Sequence, residues 1–427
     1  MKYGAIAGGE KSTVQAAFNI MENGGNAFDA AVGAVFTSMV SEYCLTGPGG
    51  GGAFLASPVN AEPILFDFFV DTPHPQPEKE LDFFSIIVDF GPSQQQFHIG
   101  QGSVAIPGNI AGLLKVHQRL GQIPLKAVLE PAVNAARNGI VLNSSQGYLI
   151  KILEPILTHS NGGKVLFSPN GKLLKKDDRF KNPKFADLLE ILVAEGHMYF
   201  YEKDGAELIL NTVGEKGLLT KEGLALYRVA ERVPLKSEFR GKTIYTNPAP
   251  AIGGTLITFF LQLLEQSKTG TKSELIDLIR AMQITSAARR EISIDMNNEF
   301  QISQLLEPRT FSHYLRLFDS GSTPSQNEKD PVSRGATTHL SVIDKHGNAA
   351  SVTTTNGEGC GYIIPELGMM LNNMLGEEDL NPMGFHQWAH QRRLPTMISP
   401  TIVMGKKGVE LVLGSGGSNR LRSLRSY

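Results

Sequence analysis

The chain contains few cysteines, little net charge and no uncharged apolar run long enough to cross a membrane. Cys44 and Cys360 are its only cysteines, too few for a disulfide framework and unlike a CxxC metal site. With 40 Lys and Arg against 42 Asp and Glu, the formal charge of −2 does not favour nucleic acid or an anionic membrane as a partner. We therefore expect no metal, no cofactor, no nucleic acid and no membrane.

The N-terminus also lacks an apolar segment long enough for a secretory signal. With 427 residues, of which 41% are hydrophobic, the chain can bury an ample core as a globular protein. The simplest expectation from these features is a cytoplasmic location.

The most informative stretch of the sequence follows residues 320–333, a polar and turn-prone run. Two small residues, Gly335 and Ala336, lead from this run to Thr337. LSVI then alternates as a strand does, HisGlyAsn at 346–348 predicts a hairpin turn, and AASVTTT is rich in β-branched residues. A threonine therefore lies at the start of a predicted strand and at the end of a flexible arm.

This placement suits a nucleophile that is released by cleavage of its own peptide bond. A threonine hydroxyl normally needs a base to activate it. If the bond between Ala336 and Thr337 is cut, Thr337 gains an α-amine with a pKa of about 7.7 to 8.0, which can act as that base near neutral pH. The same hydroxyl can first attack the Ala336 carbonyl and pass through an ester. The alternative is an ordinary strand that begins after a loop.

Short motifs recur in a fixed order around this stretch. They are GGNAFDAA at 24–31, GPGGGG at 47–52, IPGNIAG at 106–112, TTHLSV at 337–342, GNA at 347–349, TTTN at 353–356, LNN at 371–373, SPT at 399–401 and GSGGS at 414–418. Over nearly the whole chain, this ordered set resembles the γ-glutamyltransferases, which are N-terminal-nucleophile hydrolases.

The resemblance implies an α+β fold, a four-layer αββα sandwich of the N-terminal-nucleophile hydrolase type. It also implies a large-subunit segment at 1–336 and a small-subunit segment at 337–427, in one intertwined fold that is cut once. The strands after residue 337 would lack a partner layer by themselves. Because members of the family continue well beyond the glycine pair near the end, we expect the small-subunit segment to be truncated and weakly active.

Apolar spacings of three and four residues predict helices over much of the chain before residue 291. The predicted helices are 12–22, 27–41, 110–120, 124–138, 146–158, 185–195, 221–231, 253–265 and 272–290. Ser12 and Asn26 are the expected N-caps of the first two. After the early strand AFLASPV, strands are expected near 243–245 and densely after 338. The GPGGGG motif predicts a tight turn, since no GlyLysSer or GlyLysThr follows that would indicate a phosphate-binding loop.

The resemblance assigns roles to several further residues. Thr355 matches a second threonine whose hydroxyl bonds the nucleophile, although it also suits a strand simply as a β-branched residue. Asn356 matches an asparagine that contacts the substrate's α-carboxylate and the nucleophile. Gly416 and Gly417 match paired glycines whose amides form the oxyanion hole. Glu377 matches an acidic group that holds the substrate's α-amine, and its alternative is a solvated acidic turn.

Other positions depart from the family pattern. Phe69 stands where the family has an arginine that clamps the substrate's carboxylate, a bidentate contact that phenylalanine cannot make. Thr396 and Met397 replace a serine pair, and Met374 replaces an expected Gln or Glu. We therefore expect weak binding of γ-glutamyl groups, hydrolysis in excess of transfer, and tighter binding in Phe69→Arg.

Three functions follow from these features. The first is an autoprocessed γ-glutamyl hydrolase or transferase that acts on amides such as glutathione through an ester on Thr337, with water, an amino acid or a peptide as acceptor. The second is an amidase or acylase of the same fold, with Phe69, Met374 and Met397 as an apolar acyl pocket. The third is a non-catalytic relative that serves as a folded or partner-binding protein. The first two require that the protein consist of two chains from self-cleavage.

Overall fold

Two antiparallel sheets lie between two layers of helices in the computed structural model of the protein, which describes residues 4–74, 79–89, 94–267, 275–291, 302–321, 336–381 and 383–416. Its strands are β1 Ala5–Gly8, β2 Gly51–Ser57, β3 Ile64–Phe68, β4 Phe84–Asp89, β5 Gln94–Ile99, β6 Ile140–Val141, β7 Arg179–Phe180, β8 Ala230–Arg232, β9 Leu235–Phe239, β10 Lys242–Thr246, β11 Thr338–Ile343, β12 Ala349–Thr355, β13 Ile363–Ile364, β14 Met369–Met370, β15 Thr401–Gly405 and β16 Gly408–Leu413.

The helices are α1 Lys11–Glu22, α2 Ala27–Ser41, α3 Asn109–Leu120, α4 Leu125–Asn138, α5 Ser144–Ile152, α6 Glu154–Leu157, α7 Asn161–Phe167, α8 Pro183–Glu195, α9 Met198–Glu202, α10 Asp204–Val213, α11 Lys221–Leu226, α12 Ile252–Gln266, α13 Leu275–Glu291 and α14 Pro308–Asp319. Single 3₁₀ turns include Met374–Gly376 and Glu378–Leu380. No helix in the described ranges is both long and apolar enough to span a bilayer.

The larger sheet has the strand order β1-β11-β12-β2-β3-β8. β11 and β12, which follow the predicted cut, pair with β1 and β2 from the start of the chain. Every residue of β2 and β12 is buried, because other layers cover both faces of the sheet. The two segments proposed from the sequence thus share one sheet, and the division at 336/337 stays a prediction.

Alternation along β2 separates two of the apolar cores. Phe54 and Ala56 join the cluster under α2, α3 and α4, whereas Ala53 and Leu55 point into the cluster between the sheets. The smaller sheet, in the order β16-β15-β10-β9, completes that second cluster with Ile402 of β15. A third cluster joins α12, α13 and α14 on its outer side. The four-layer αββα prediction is therefore confirmed.

Helix starts follow local capping chemistry. Asn26 caps α2 as predicted, in a capping box in which its side chain accepts from the amides of Phe28 and Asp29 while the Asp29 carboxylate accepts from the Asn26 amide. α1 was predicted to begin after Ser12, but its cap is Glu10, whose carboxylate accepts from the Ser12 amide at 2.5 Å.

Two predicted helices end earlier than the apolar spacing suggested. The helix predicted over 146–158 is α5 and α6, because Pro155 has no amide hydrogen to continue the ladder of α5. The helix predicted over 221–231 ends at Leu226, where Tyr227 turns to an extended conformation and buries its ring. β8, a strand that the sequence did not predict, follows this helix and pairs with β3. The β4-β5 hairpin, the antiparallel pair β6-β7 and β9 were also missed.

Candidate active site

The peptide bond between Ala336 and Thr337 lies where β11 begins, beside the end of β12. Thr338 pairs with Thr354, so Thr355 extends β12 alongside this bond. The Thr355 hydroxyl donates to the Ala336 carbonyl oxygen at 2.5 Å and accepts from the Gly357 amide at 3.0 Å. The sequence predicted a bond from Thr355 to the Thr337 hydroxyl. In the continuous chain the Thr355 hydroxyl instead polarises the carbonyl that Thr337 would attack.

Glycines allow other backbone segments to approach these threonines closely. A Cβ on Gly416 would lie 2.0 Å from the Thr337 carbonyl oxygen, and one on Gly50 would lie 2.0 Å from that of Thr355. Gly51 pairs with Thr355 across β2 and β12, and a Cβ there would meet Phe69 Cα at 3.0 Å. The glycine-rich loop therefore packs the site tightly. Gly417, the other predicted oxyanion donor, lies outside the described residues, as does most of the predicted arm.

Asn356 continues from Thr355 into the loop after β12. Its side-chain amide donates weakly to the carbonyls of Met370 and Leu371, at 3.3 and 3.5 Å. Its Oδ1 is buried and lacks a hydrogen-bond partner within the described residues. Asn356 therefore offers an unused acceptor one residue from Thr355.

Two carboxyl groups lie together around Gly357. A Cβ on Gly357 would come within 2.3 Å of Glu377 Oε1, and the following residue is Glu358. Burial raises the pKa of Glu358 to about 8, and the pKa of Glu377 well above its usual range through burial and the charge of Glu358. The Ala336 amide and the Asn373 side chain act in the opposite direction and lower the pKa of Glu358. Neither makes a hydrogen bond of good geometry with the carboxyl oxygens of Glu358.

Behind Thr337 lies a third buried acid. Glu42 accepts from the Thr338 hydroxyl at 2.6 Å and from the Thr13 hydroxyl at 2.9 Å. Burial raises the pKa of Glu42, while these two hydroxyls lower it. Glu42 thereby ties β11 to α1 and α2 and fixes the start of the strand that carries Thr337.

Sequence reasoning did not identify Glu42 or Glu358. The only signal for Glu358 was its place in GlyGluGly, directly after the predicted Asn356. Glu42 follows a long apolar helix and gave no signal at all. The described chain contains no group of three or more His, Cys, Asp and Glu side chains arranged to hold a metal ion.

The predicted apolar acyl pocket is divided by the fold. Phe69 and Met374 are each 1% exposed and share the cluster between the sheets. Met397 instead packs in the cluster around α12, so the three side chains do not line one pocket. The backbone carbonyl of the neighbouring Thr396 accepts from the Ile252 amide at 2.8 Å and so caps the first turn of α12.

An arginine does lie beside Phe69, but its guanidinium is already engaged. Arg393 donates to the Phe69 carbonyl and, at 2.6 Å, to the Tyr227 hydroxyl. It also lies 3.5 Å from Asp67 and 3.3 Å from Asp71, with its side chain 7% exposed. Arg393 is therefore a buried structural cation, held by these contacts.

The chain as a whole can be compared with known proteins. The family model described as Gamma-glutamyltranspeptidase matches residues 13–425. The glutathione hydrolase proenzyme of Escherichia coli is 29% identical over 98% of this chain and 76% of its own length. The acylase ACY 1 proenzyme of a Pseudomonas species is 28% identical over 94% of this chain and 74% of its own.

A solved structure supports the fold independently of these sequences. The cephalosporin acylase of Bacillus halodurans superposes with a TM-score of 0.78 at 19% identity, covering 96% of this chain and 76% of its own. At this identity the likeness concerns the fold alone, which agrees with the layers described above.

Proposed function

The chain belongs to the gamma-glutamyltranspeptidase family, and on that premise we propose that it cleaves itself between Ala336 and Thr337 and then works as an amide hydrolase or acyl transferase with Thr337 as nucleophile. The observation that carries the proposal is the bond from Thr355 to the Ala336 carbonyl at 2.5 Å. A donor held on that oxygen stabilises the oxyanion that forms when the hydroxyl of Thr337 attacks. The names of two relatives include the word proenzyme, which supports the proposal that this protein is also made as a precursor and then cleaved.

Self-cleavage proceeds in two steps. The Thr337 hydroxyl loses its proton and attacks the Ala336 carbonyl carbon, the C–N bond breaks, and the nitrogen takes up a proton to become the α-amine. Water then hydrolyses the resulting ester, which leaves a carboxylate on Ala336 and a free hydroxyl on Thr337. In turnover the α-amine takes the hydroxyl proton, and the leaving amine of the substrate carries a proton away. Water or an amine acceptor finally releases the acyl group.

Two classes of acyl donor are candidates. γ-Glutamyl amides such as glutathione are favoured by the family and by the position of Glu377 near the cleavage site. Less polar acyl amides are favoured by Phe69, which cannot bind a carboxylate, and by the similarity to the acylase. The cytoplasmic location and the two-chain composition expected from the sequence belong to this proposal as predictions.

Intact-mass analysis of the purified protein tests the mechanism. We expect fragments that span 1–336 and 337–427, no fragments in Thr337→Ala, and slower fragmentation in Thr337→Ser, which retains a hydroxyl. The uncut forms of Thr337→Ala and Thr337→Ser should melt at similar temperatures, because the hydroxyl at position 337 contributes little to packing. A wild-type protein that stays uncut on long incubation and still turns over an acyl anilide would contradict the role of Thr337.

A further inference from the structure

The start of β11 is paired with a neighbouring strand on one side only. On the β12 side Thr338 pairs with Thr354. On the other side β1 ends at Gly8, which lies opposite Leu340, so the ladder stops two residues short of Thr338. A strand end without a neighbour frays unless other contacts hold it.

Glu42 supplies a contact on the side that β1 leaves open. Its carboxyl group accepts from the Thr338 hydroxyl at 2.6 Å. A Cβ on Gly9, the residue after β1, would lie 2.9 Å from Glu42 Oε2, so glycine leaves room for the carboxyl group where the ladder would continue. Thr338 and Glu42 are each 7% exposed, and water therefore competes little for their hydrogen bond.

The backbone of Glu42 is itself firmly held. Glu42 is the C-cap of α2, and its amide donates to the Ser38 carbonyl at 2.6 Å. Its own carbonyl accepts from the amides of Leu45 and Thr46, at 2.7 and 3.2 Å. None of the described groups that shift its pKa is a cation, and a buried acid without a cation is costly to the fold. Stability alone does not explain an acid in this place, which indicates a role at the start of β11.

Cleavage of the chain increases the need for this contact. In the continuous chain Thr337 is held on both sides, by Thr338 and by Ala336, whose carbonyl accepts from Thr355. A cut between Ala336 and Thr337 makes Thr337 a chain terminus that is attached to Thr338 alone. Its hydroxyl must nevertheless stay aligned with the substrate's carbonyl carbon, since a misplacement of about 1 Å can cost on the order of a hundredfold in rate.

We propose that Glu42 is a positioning residue that anchors the terminus made by cleavage and, through Thr338, holds Thr337 in place for turnover. The inference rests on the proposed self-cleavage, and it distinguishes the two reactions. Loss of the anchor should slow turnover strongly and self-cleavage little, because Ala336 still holds Thr337 in the uncut chain.

Thr338→Val removes the hydroxyl and keeps a β-branched residue in the strand. In the cleaved protein, kcat should fall by about tenfold to 100-fold, the cost of a misplaced reacting group, while KM changes little. The assay uses γ-glutamyl p-nitroanilide or butanoyl p-nitroanilide, whichever the wild type cleaves faster. Intact-mass analysis should show self-cleavage at close to the wild-type rate.

Two further variants serve as controls for Thr338→Val. Thr338→Ser retains the hydroxyl and should restore kcat. Thr354→Val loses a buried hydrogen bond to Thr46 at the position paired with Thr338, so it should weaken the fold similarly but keep kcat near that of the wild type. An equal fall of kcat in Thr338→Val and Thr354→Val, or no rescue by serine, would overturn the proposal.

Glu42→Leu tests whether Glu42 acts through Thr338. It removes the acceptor and should lower kcat by a factor similar to that of Thr338→Val. The double variant should be no slower than the slower single variant, because both substitutions break the same contact. If the two losses multiply, Glu42 acts by another route and the proposal fails.

Hydrogen exchange of the segment that begins at Thr337 gives a readout that does not need turnover. In the cleaved protein, the amides at the start of β11 should exchange faster in Thr338→Val than in the wild type or Thr354→Val, because a loosened strand end opens more often. In an uncut Thr337→Ala background, Thr338→Val should have little effect. Equal acceleration in the cut and uncut proteins would mean that the contact has only a structural role.

The outcomes also separate this inference from the proposed function. A wild type that stays uncut contradicts the proposed function and the anchor together. A protein that cuts itself, but whose kcat and hydrogen exchange do not respond to Thr338→Val, contradicts the anchor alone.

Discussion

Thr355→Val removes one hydroxyl from the cleavage site and keeps a β-branched side chain at the end of β12. The lost donor lies 2.5 Å from the Ala336 carbonyl oxygen, where negative charge develops during attack by Thr337. Removal of a single oxyanion donor costs about 10² to 10³ in rate, or about 2.7 to 4 kcal/mol. We therefore expect self-cleavage to slow by two to three orders of magnitude.

The substitution also affects stability, which has to be separated from the rate. The Gly357 amide loses its acceptor at 3.0 Å, and an unsatisfied buried amide costs about 1 to 3 kcal/mol. Thr354→Val is a matched control, because Thr354 is the preceding residue of β12 and its hydroxyl bonds Thr46 at 2.8 Å. The control loses a buried hydrogen bond but no contact with Ala336.

Freshly purified protein of each variant would be incubated and sampled by intact mass, with urea unfolding measured in parallel. Thr355→Val should cleave slowly, Thr354→Val at close to the wild-type rate, and Thr355→Ser in between or near wild type. If Thr355→Val cleaves within about threefold of wild type, or if the control is slowed equally, the hydroxyl of Thr355 does not stabilise the oxyanion.

Three further predictions concern the surrounding structure. Phe69→Arg would bury a second guanidinium beside Arg393, so we expect lower thermal stability and poor expression rather than the tighter substrate binding expected from sequence, and a wild-type melting temperature would contradict this. Asn26→Ala should lower the free energy of unfolding by about 0.5 to 2 kcal/mol through loss of the α2 cap, as measured by urea titration. Folded Glu358 keeps its proton between the ordinary pKa of 4.5 and about 8 while the unfolded chain loses it, so its contribution to stability falls as pH rises through that range. In unfolding experiments at several pH values, Glu358→Gln should remove this dependence of stability on pH, whereas the control Glu366→Gln, which alters an exposed carboxyl, should keep it. If the two variants show the same pH dependence, the burial of Glu358 does not cause it.

The features predicted well from sequence have local causes. Asn26 and Asp29 are three residues apart, so the capping box of α2 can be identified in the sequence. The turn at 346–348 follows from Gly347, whose φ of 96° suits glycine, and the flanking strands alternate as expected. The cleavage site between Ala336 and Thr337, which was chosen from neighbouring residues and from the resemblance, stays a prediction.

The features missed depend on contacts between distant parts of the chain. β8 is only three residues long and exists because it pairs with β3, far earlier in the sequence. Glu358 lies between glycines, a pattern typical of an exposed turn. It is buried because Asn373, beyond the β13-β14 hairpin, accepts from its backbone amide at 2.9 Å. No periodicity in either segment predicts such a pairing.

Under the proposed mechanism, self-cleavage and substrate turnover share one set of groups, because Ala336 is the first acyl group that Thr337 would attack. Ala336 is small and uncharged, so Glu358 and Glu377 can remain beside it in their protonated, neutral forms. Because Ala336 carries no charge, we expect Glu358→Gln to leave the rate of self-cleavage close to that of the wild type in intact-mass analysis, and a marked slowing would contradict this reasoning.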